Sequence, residues 1–218
     1  MTPDSHLHEI EVRIARAAAT ARRTDKVTLV AVSKTQPAAA IEPLLAAGHR
    51  VFGENRVAEA AAKWPALRAR HDGVALHLIG QLQSNKAEEA VALFDAIHVV
   101  DRPSLVTALA RAMERSGRRP DCFVQVNIGA EAQKAGCAIA DLPALVDRVR
   151  AAGLPLAGLM CLPPAAVEPA PYFALLAKLA RDVGVAGLSM GMSGDYETAV
   201  TIGATHVRIG SALFGARA

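Results

Sequence analysis

Two hydrophobic rhythms alternate along the chain. Short runs rich in Val, Ile and Leu recur at 28–33 (TLVAVS), 50–54 (RVFGE), 75–79 (ALHLI), 96–100 (AIHVV), 122–127 (CFVQVN), 156–160 (LAGLM), 187–190 (GLSM) and 206–209 (HVRI). Strands that are apolar at nearly every position are buried on both faces, as parallel strands are. Longer alanine-rich stretches with helical period separate them. Strand–helix alternation predicts right-handed βαβ units. Eight such units in 218 residues predict an α/β fold, a single (β/α)8 TIM barrel. An open doubly wound sheet is the alternative, and the even spacing favours closure.

Punctuation supports this division. Thr2-Pro3-Asp4 opens an extra leading helix over 3–22, in which Leu7, Ile10, Ile14, Ala17 and Ala21 share one face. Asp101 is expected to cap a helix beginning at Pro103, and Asp141 one that ends at Gly153. Asp195 would cap a helix that ends at Gly203, and Glu42, Leu45 and Ala46 belong to one that ends at Gly48. The expected organisation is a single domain, 1–218, with the leading helix in 1–25 and the barrel over about 27–218.

Composition narrows the partners. Hydrophobic residues make up 52% and aromatics only 4%, so helices should pack closely on small side chains. The formal net charge is +3. Lys and Arg are scattered, and the pairs Arg22-Arg23 and Arg118-Arg119 read as solvated helix ends rather than a nucleic-acid footprint. Cys122, Cys137 and Cys161 are an odd set without metal spacing, which fits a reducing cytoplasm. No apolar run has the length of a membrane span. Glu9 and Glu11 interrupt what would otherwise resemble a basic transit peptide. No HExxH pattern occurs among the seven histidines, so metal is not expected. A cytoplasmic monomer is expected.

In such a barrel, function sits at the C-terminal ends of the strands. There the chain places Ser33-Lys34-Thr35, Gly53-Glu54-Asn55, Met190 to Gly194, and Arg208 to Ser211. The loops after strands 7 and 8 are the usual phosphate site of this architecture. Ser193-Gly194 and Gly210-Ser211 are small and hydroxyl-bearing, and glycine lets backbone N–H groups approach an anion. An apolar strand delivers Lys34 into the barrel mouth, where a desolvated amine becomes a competent nucleophile. A lysine beside a phosphate site suggests either a Schiff-base aldolase acting on sugar phosphates or a pyridoxal phosphate site. Arg208 favours the second. Its guanidinium only donates, so a pyridine nitrogen facing it stays unprotonated and the ring is a weak electron sink.

VSKTQP (32–37), FGENRV (52–57), HLIGQLQSNK (77–86), NIGAEAQKAG (127–136), GLMCLPP (158–164), LSMGMSGDYETAV (188–200) and GATHVRIGSALFGAR (203–217) follow in order. Together they resemble the YggS/PROSC family of pyridoxal phosphate homeostasis proteins. The resemblance implies a fold type III barrel, like the N-terminal domain of alanine racemase. It implies a Schiff base at Lys34, phosphate contacts from Ser193, Gly210 and Ser211, and Arg208 at the pyridine nitrogen. Asn55 would lie near the cofactor, and Met190 belongs to the same binding set. The family is regarded as non-catalytic, buffering pyridoxal 5′-phosphate and delivering it to apoenzymes. Ala58 and Gln81 depart from its usual residues. The competing expectation is a pyridoxal-phosphate-dependent racemase or decarboxylase. A racemase needs a second acid/base group, which in racemases of this fold is a tyrosine from a separate β-domain. The sequence ends just past the eighth strand, and Tyr172 and Tyr196 fall on helices, so a carrier is the preferred expectation. Lys63, Lys86 and Lys134 are candidates for a second cofactor or phosphate contact.

Overall fold

The computed structural model describes residues 3–215. Eight strands form a closed, all-parallel barrel in sequence order: β1 (Thr28–Val32), β2 (Val51–Glu54), β3 (Ala75–Leu78), β4 (Ala96–Val100), β5 (Asp121–Val126), β6 (Leu156–Cys161), β7 (Gly187–Met192) and β8 (His206–Ile209). Closure is explicit, because β8 pairs with β7 and also with β1, in register from Thr28 opposite His206 to Ala31 opposite Ile209. The open-sheet alternative is thereby excluded. The helices are α1 (Pro3–Thr20), α2 (Ala38–Ala46), α3 (Val57–Arg68), α4 (Ala87–Leu93), α5 (Pro103–Ser116), α6 (Leu142–Ala151), α7 (Ala170–Asp182), α8 (Tyr196–Ile202) and α9 (Ser211–Phe214).

The strands sit where the apolar runs predict them because each must be covered on both faces. The main core lies between barrel and helices, around the fully buried Trp64, Phe52, Phe94 and Phe173. With so few large rings, close approach depends on small residues. Ala60, Ala90, Ala199 and Ala204 are completely buried. Between β6 and β7 the approach is tighter still: a Cβ at Gly158 would stand 2.0 Å from the Gly187 carbonyl oxygen.

Helix α1 buries Leu7, Ile10, Ile14 and Ala17 and packs against α2, α8 and α9. His6 Nδ1 lies 3.1 Å from the Leu213 carbonyl, and Arg13 covers the ring of Tyr196 and pairs with Glu197. The expected cap at Thr2 lies outside the described residues. Ala21 falls just past the end of α1 and is only half-buried.

The basic pairs are not simply solvated ends. The Arg23 guanidinium donates to the Val200 and Ala204 carbonyls at 2.7 and 2.9 Å, capping the end of α8. Arg118 does the same for Ala92 and Phe94 at the end of α4, at 2.8 and 3.1 Å. Orphan carbonyls at a helix end gain a charged donor in this way. Arg23→Ala should therefore lower unfolding free energy by about 1–3 kcal/mol, measured by urea denaturation; an unchanged midpoint would show these bonds to be ornamental.

The expected aspartate caps are corrected too. Asp101 pairs with Arg102 at 2.6 Å, and Arg102 occupies the N-cap position of α5. Asp141 does precede α6, but it ends a 3-10 turn (Ile139–Asp141), so its backbone is helical and its side chain makes no cap bond. Asp195 turns backward, its Oδ1 accepting the Met192 N–H at 2.6 Å. The three cysteines are free and buried, and burial pushes each thiol up to about 12. No described helix is long and apolar enough to cross a membrane.

Candidate functional site

A cleft of about 410 Å³ opens at the C-terminal mouth of the barrel, a volume typical of small-molecule sites. The turn after β1 contributes Lys34, Thr35 and Gln36, and Asn55 follows β2. The β7 end contributes Met192, Ser193 and Gly194. Arg208 comes from β8, followed by Gly210, Ser211 and Phe214. Among the described residues, the lining carries two cationic side chains, Lys34 and Arg208, and no carboxylate. With low-dielectric walls, such a cleft concentrates anions.

Six of the seven residues singled out from the sequence meet here: Lys34, Asn55, Ser193, Arg208, Gly210 and Ser211. Met190 does not. It is fully buried in the hydrophobic core, and Met192, 40% exposed, stands at the mouth instead. The reason is a break in strand alternation. Gly191 has φ +92° and the β7–β8 register shifts between Ser189 and Met192. The two unusual family positions, Ala58 and Gln81, are exposed and line no part of the cleft.

At one wall, backbone donors converge. The N–H groups of Gly210 and Ala212 both point at Ser193 Oγ, at 3.2 and 3.3 Å. Two amides and a hydroxyl in this arrangement form a neutral cradle suited to anionic oxygens.

The floor is built differently. Arg208 is 4% exposed. Its Nη1 donates to Ser189 Oγ at 2.6 Å and its Nη2 to the Cys161 carbonyl at 2.9 Å. Burial lowers its pKa, yet a guanidinium stays charged at neutral pH. Beneath it, His98 Nδ1 lies 2.8 Å from Ser189 Oγ and His98 Nε2 lies 3.0 Å from His77 Nδ1. His98 stacks on Phe123 at 4.2 Å, and His206 meets Phe123 edge-on at 5.0 Å. Desolvation, with the neighbouring His206, lowers His77 to about 3. Desolvation, with Arg208, lowers His206 to about 4. Burial drives His98 well below its ordinary value as well. These three are therefore neutral imidazoles filling the barrel beneath a cation. Among the described residues, no group of three or more His, Cys, Asp or Glu is placed to hold a metal ion.

Sequence reasoning treated the histidines only as potential metal ligands and missed this network. A usable signal existed: a polar residue inside an otherwise apolar parallel strand has only the barrel interior in which to find partners. The other lysines lie outside the cleft lining. Lys63 pairs with buried Glu54 at 2.7 Å, Lys86 pairs with Glu89 at 2.7 Å, and Lys134 pairs with Glu131 and donates to the Pro163 carbonyl. Tyr172 and Tyr196 lie on α7 and α8 and do not line the cleft either.

Comparison with known proteins adds to this geometry. Residues 5–218 match the family described as "Alanine racemase, N-terminal domain". The chain is 42% identical to the pyridoxal phosphate homeostasis protein of Pseudomonas aeruginosa, covering 97% of this chain and 94% of that protein. It is 38% identical to the protein of the same name from Escherichia coli, covering 97% and 95%. The solved structure of PipY from Synechococcus elongatus with PLP bound is 40% identical, with a TM-score of 0.81 over 93% of this chain and 100% of that one. Alanine racemase from Clostridium difficile superposes with a TM-score of 0.69 at 13% identity, covering 94% of this chain and 56% of the longer enzyme. That last likeness speaks for the fold alone.

Proposed function

The chain belongs to the alanine racemase N-terminal domain family, within its pyridoxal phosphate homeostasis proteins, and from that premise we propose that it binds pyridoxal 5′-phosphate in the Lys34 cleft and serves the homeostasis of that cofactor. The observation that carries the reading is the cleft's donor set: an amine, an amide cradle and a buried guanidinium, with no carboxylate among them. These residues fit the cofactor. Pyridoxal 5′-phosphate supplies an aldehyde that condenses with an amine, with loss of one water, and a phosphate that carries its charge.

Lys34 supplies the amine and holds the cofactor as a Schiff base. Ser193, Gly210 and Ser211 hold the phosphate through hydroxyls and backbone N–H groups. Arg208 meets the pyridine nitrogen as a donor, so that nitrogen stays unprotonated and the electron demand of the ring is restrained. Asn55 borders the cofactor. The role is storage and delivery rather than turnover. Proton abstraction on one face and return on the other require a second acid/base group, and among the described residues neither tyrosine, nor any histidine or carboxylate, lines the cleft. The leading helix and barrel act as one unit, a monomer in the cytoplasm that passes cofactor to apoenzymes. Free, buried thiols suit that compartment.

Transfer tests this reading. The loaded protein, mixed with a pyridoxal-phosphate-dependent apoenzyme, should restore its activity, while loaded protein given L-alanine should form no D-alanine above a buffer control. Racemisation or decarboxylation at enzymatic rates would overturn the carrier role. A wild type that stays colourless with the cofactor would overturn the site.

A further inference from the structure

Behind the Lys34 turn lies a buried charge cluster that the cleft does not use. Glu54, at the end of β2, is completely buried and its Oε1 lies 2.7 Å from Lys63 Nζ. The same oxygen accepts from Ser33 Oγ at 2.7 Å and from the Trp64 indole at 2.9 Å. Lys63, whose side chain is 9% exposed, also donates to the Ser33 carbonyl at 2.9 Å and the Gln36 carbonyl at 3.1 Å. One turn earlier on α3, Glu59 Oε1 accepts the Thr35 N–H at 2.6 Å and lies 3.3 Å from Lys63. Every one of these bonds to the turn goes to a residue flanking Lys34: Ser33 before it, Thr35 and Gln36 after it.

The turn needs such holding. Thr35 has φ +63°, an outlier for a β-branched residue, which persists only where surrounding contacts impose it. A buried ion pair is by itself weak evidence for stability, since desolvation offsets its attraction. What this pair does supply is direction. Its ammonium is aimed at two main-chain carbonyls that bracket the lysine. None of Glu54, Glu59 and Lys63 lines the cleft, so any influence on a ligand passes through the turn.

We propose that Glu54, Glu59 and Lys63 clamp the 33–36 turn in its strained form and thereby set the bearing of the Lys34 amine toward the cofactor's aldehyde. They are positioning residues. The inference rests on the reading of Lys34 given above. Small errors of approach slow a covalent step far more than they weaken binding.

The test separates linkage from fit. In the full chain, Glu59→Ala and Lys63→Met are compared with wild type by two probes. The first is the rate at which pyridoxal 5′-phosphate becomes Schiff-base linked, followed by stopped-flow absorbance. The second is the affinity for pyridoxine 5′-phosphate, which offers the same ring and phosphate but an alcohol in place of the aldehyde. The expected result is linkage slowed by roughly tenfold to a hundredfold, with affinity for the alcohol held within about twofold. Glu59→Gln, whose amide oxygen can still accept the Thr35 N–H, should recover most of the rate. Unchanged linkage rates, or equal losses with both probes, would overturn the clamp. If Lys63→Met fails to fold, Glu59→Ala decides by the same split. A wild type that forms no linkage overturns the reading of Lys34 instead, so the two failures are distinguishable.

Discussion

The Lys34→Ala protein loses the visible absorbance that the wild type gains with pyridoxal 5′-phosphate, and it binds the cofactor at least about tenfold more weakly. The expectation follows from the inventory of the cleft. Among the described residues its two cations are Lys34 and Arg208, and a guanidinium forms no Schiff base under these conditions. Lys63 is engaged with Glu54 and two main-chain carbonyls, and Lys86 and Lys134 are paired outside the lining. On the proposed reading, removing Lys34 leaves the amide cradle and Arg208 to meet the phosphate and ring, while the covalent tether is lost. Lys34→Arg should behave alike, since it restores the charge but not the nucleophile. Absorbance titration gives the affinity, and borohydride reduction with peptide mass mapping locates the linkage. A variant with the wild-type band and affinity would remove Lys34 from its assigned role.

Acid should weaken the fold steeply, well above the range in which most carboxylates titrate. In the unfolded chain, histidines take up protons near their ordinary value of about 6.5. In the folded barrel His206 resists until about 4 and His77 until about 3, and buried His98 is shifted in the same direction. A depressed folded pKa means stability that is fully present above pH 6.5 and lost as pH falls. Each histidine contributes a slope of about 1.4 kcal/mol per pH unit between its two values. Three together approach roughly 4 kcal/mol per unit at the steepest. The groups around them do not reverse this. Arg208 opposes protonation of His98 and His206, and Asp95 only partly favours it at His77. Urea denaturation at a series of pH values from 8 to 5 measures the slope. A flat unfolding free energy from pH 6.5 to 5 would show that the three imidazoles are solvated rather than buried.

The barrel was legible because a strand covered on both faces has little freedom in composition. Runs such as TLVAV and AIHVV carry that constraint locally. The meeting of Ser193 and Gly210 at one cleft was legible for a related reason, since both lie in loops that follow neighbouring strands of the barrel. What escaped was non-local. The Glu54–Lys63 pair joins β2 to α3, and neither residue marks itself as buried in the sequence. Met192 lines the cleft where Met190 was expected, because a single glycine at positive φ broke the alternation by which strand faces are counted. The aspartate caps failed one by one, each through a different competing partner: Arg102, a preceding 3-10 turn and the Met192 amide.

Helix α1 has a consequence for how the molecule comes to be. It rests on α8 and α9, and the contact between His6 and Leu213 spans 207 positions. The β1–β8 seam likewise waits for the last strand. During synthesis the first helix is made long before its resting place exists, and no intermediate length of chain can close the ring. High contact order of this kind slows folding, and it leaves β1 an unpaired edge, open to wrong partners, until β8 emerges.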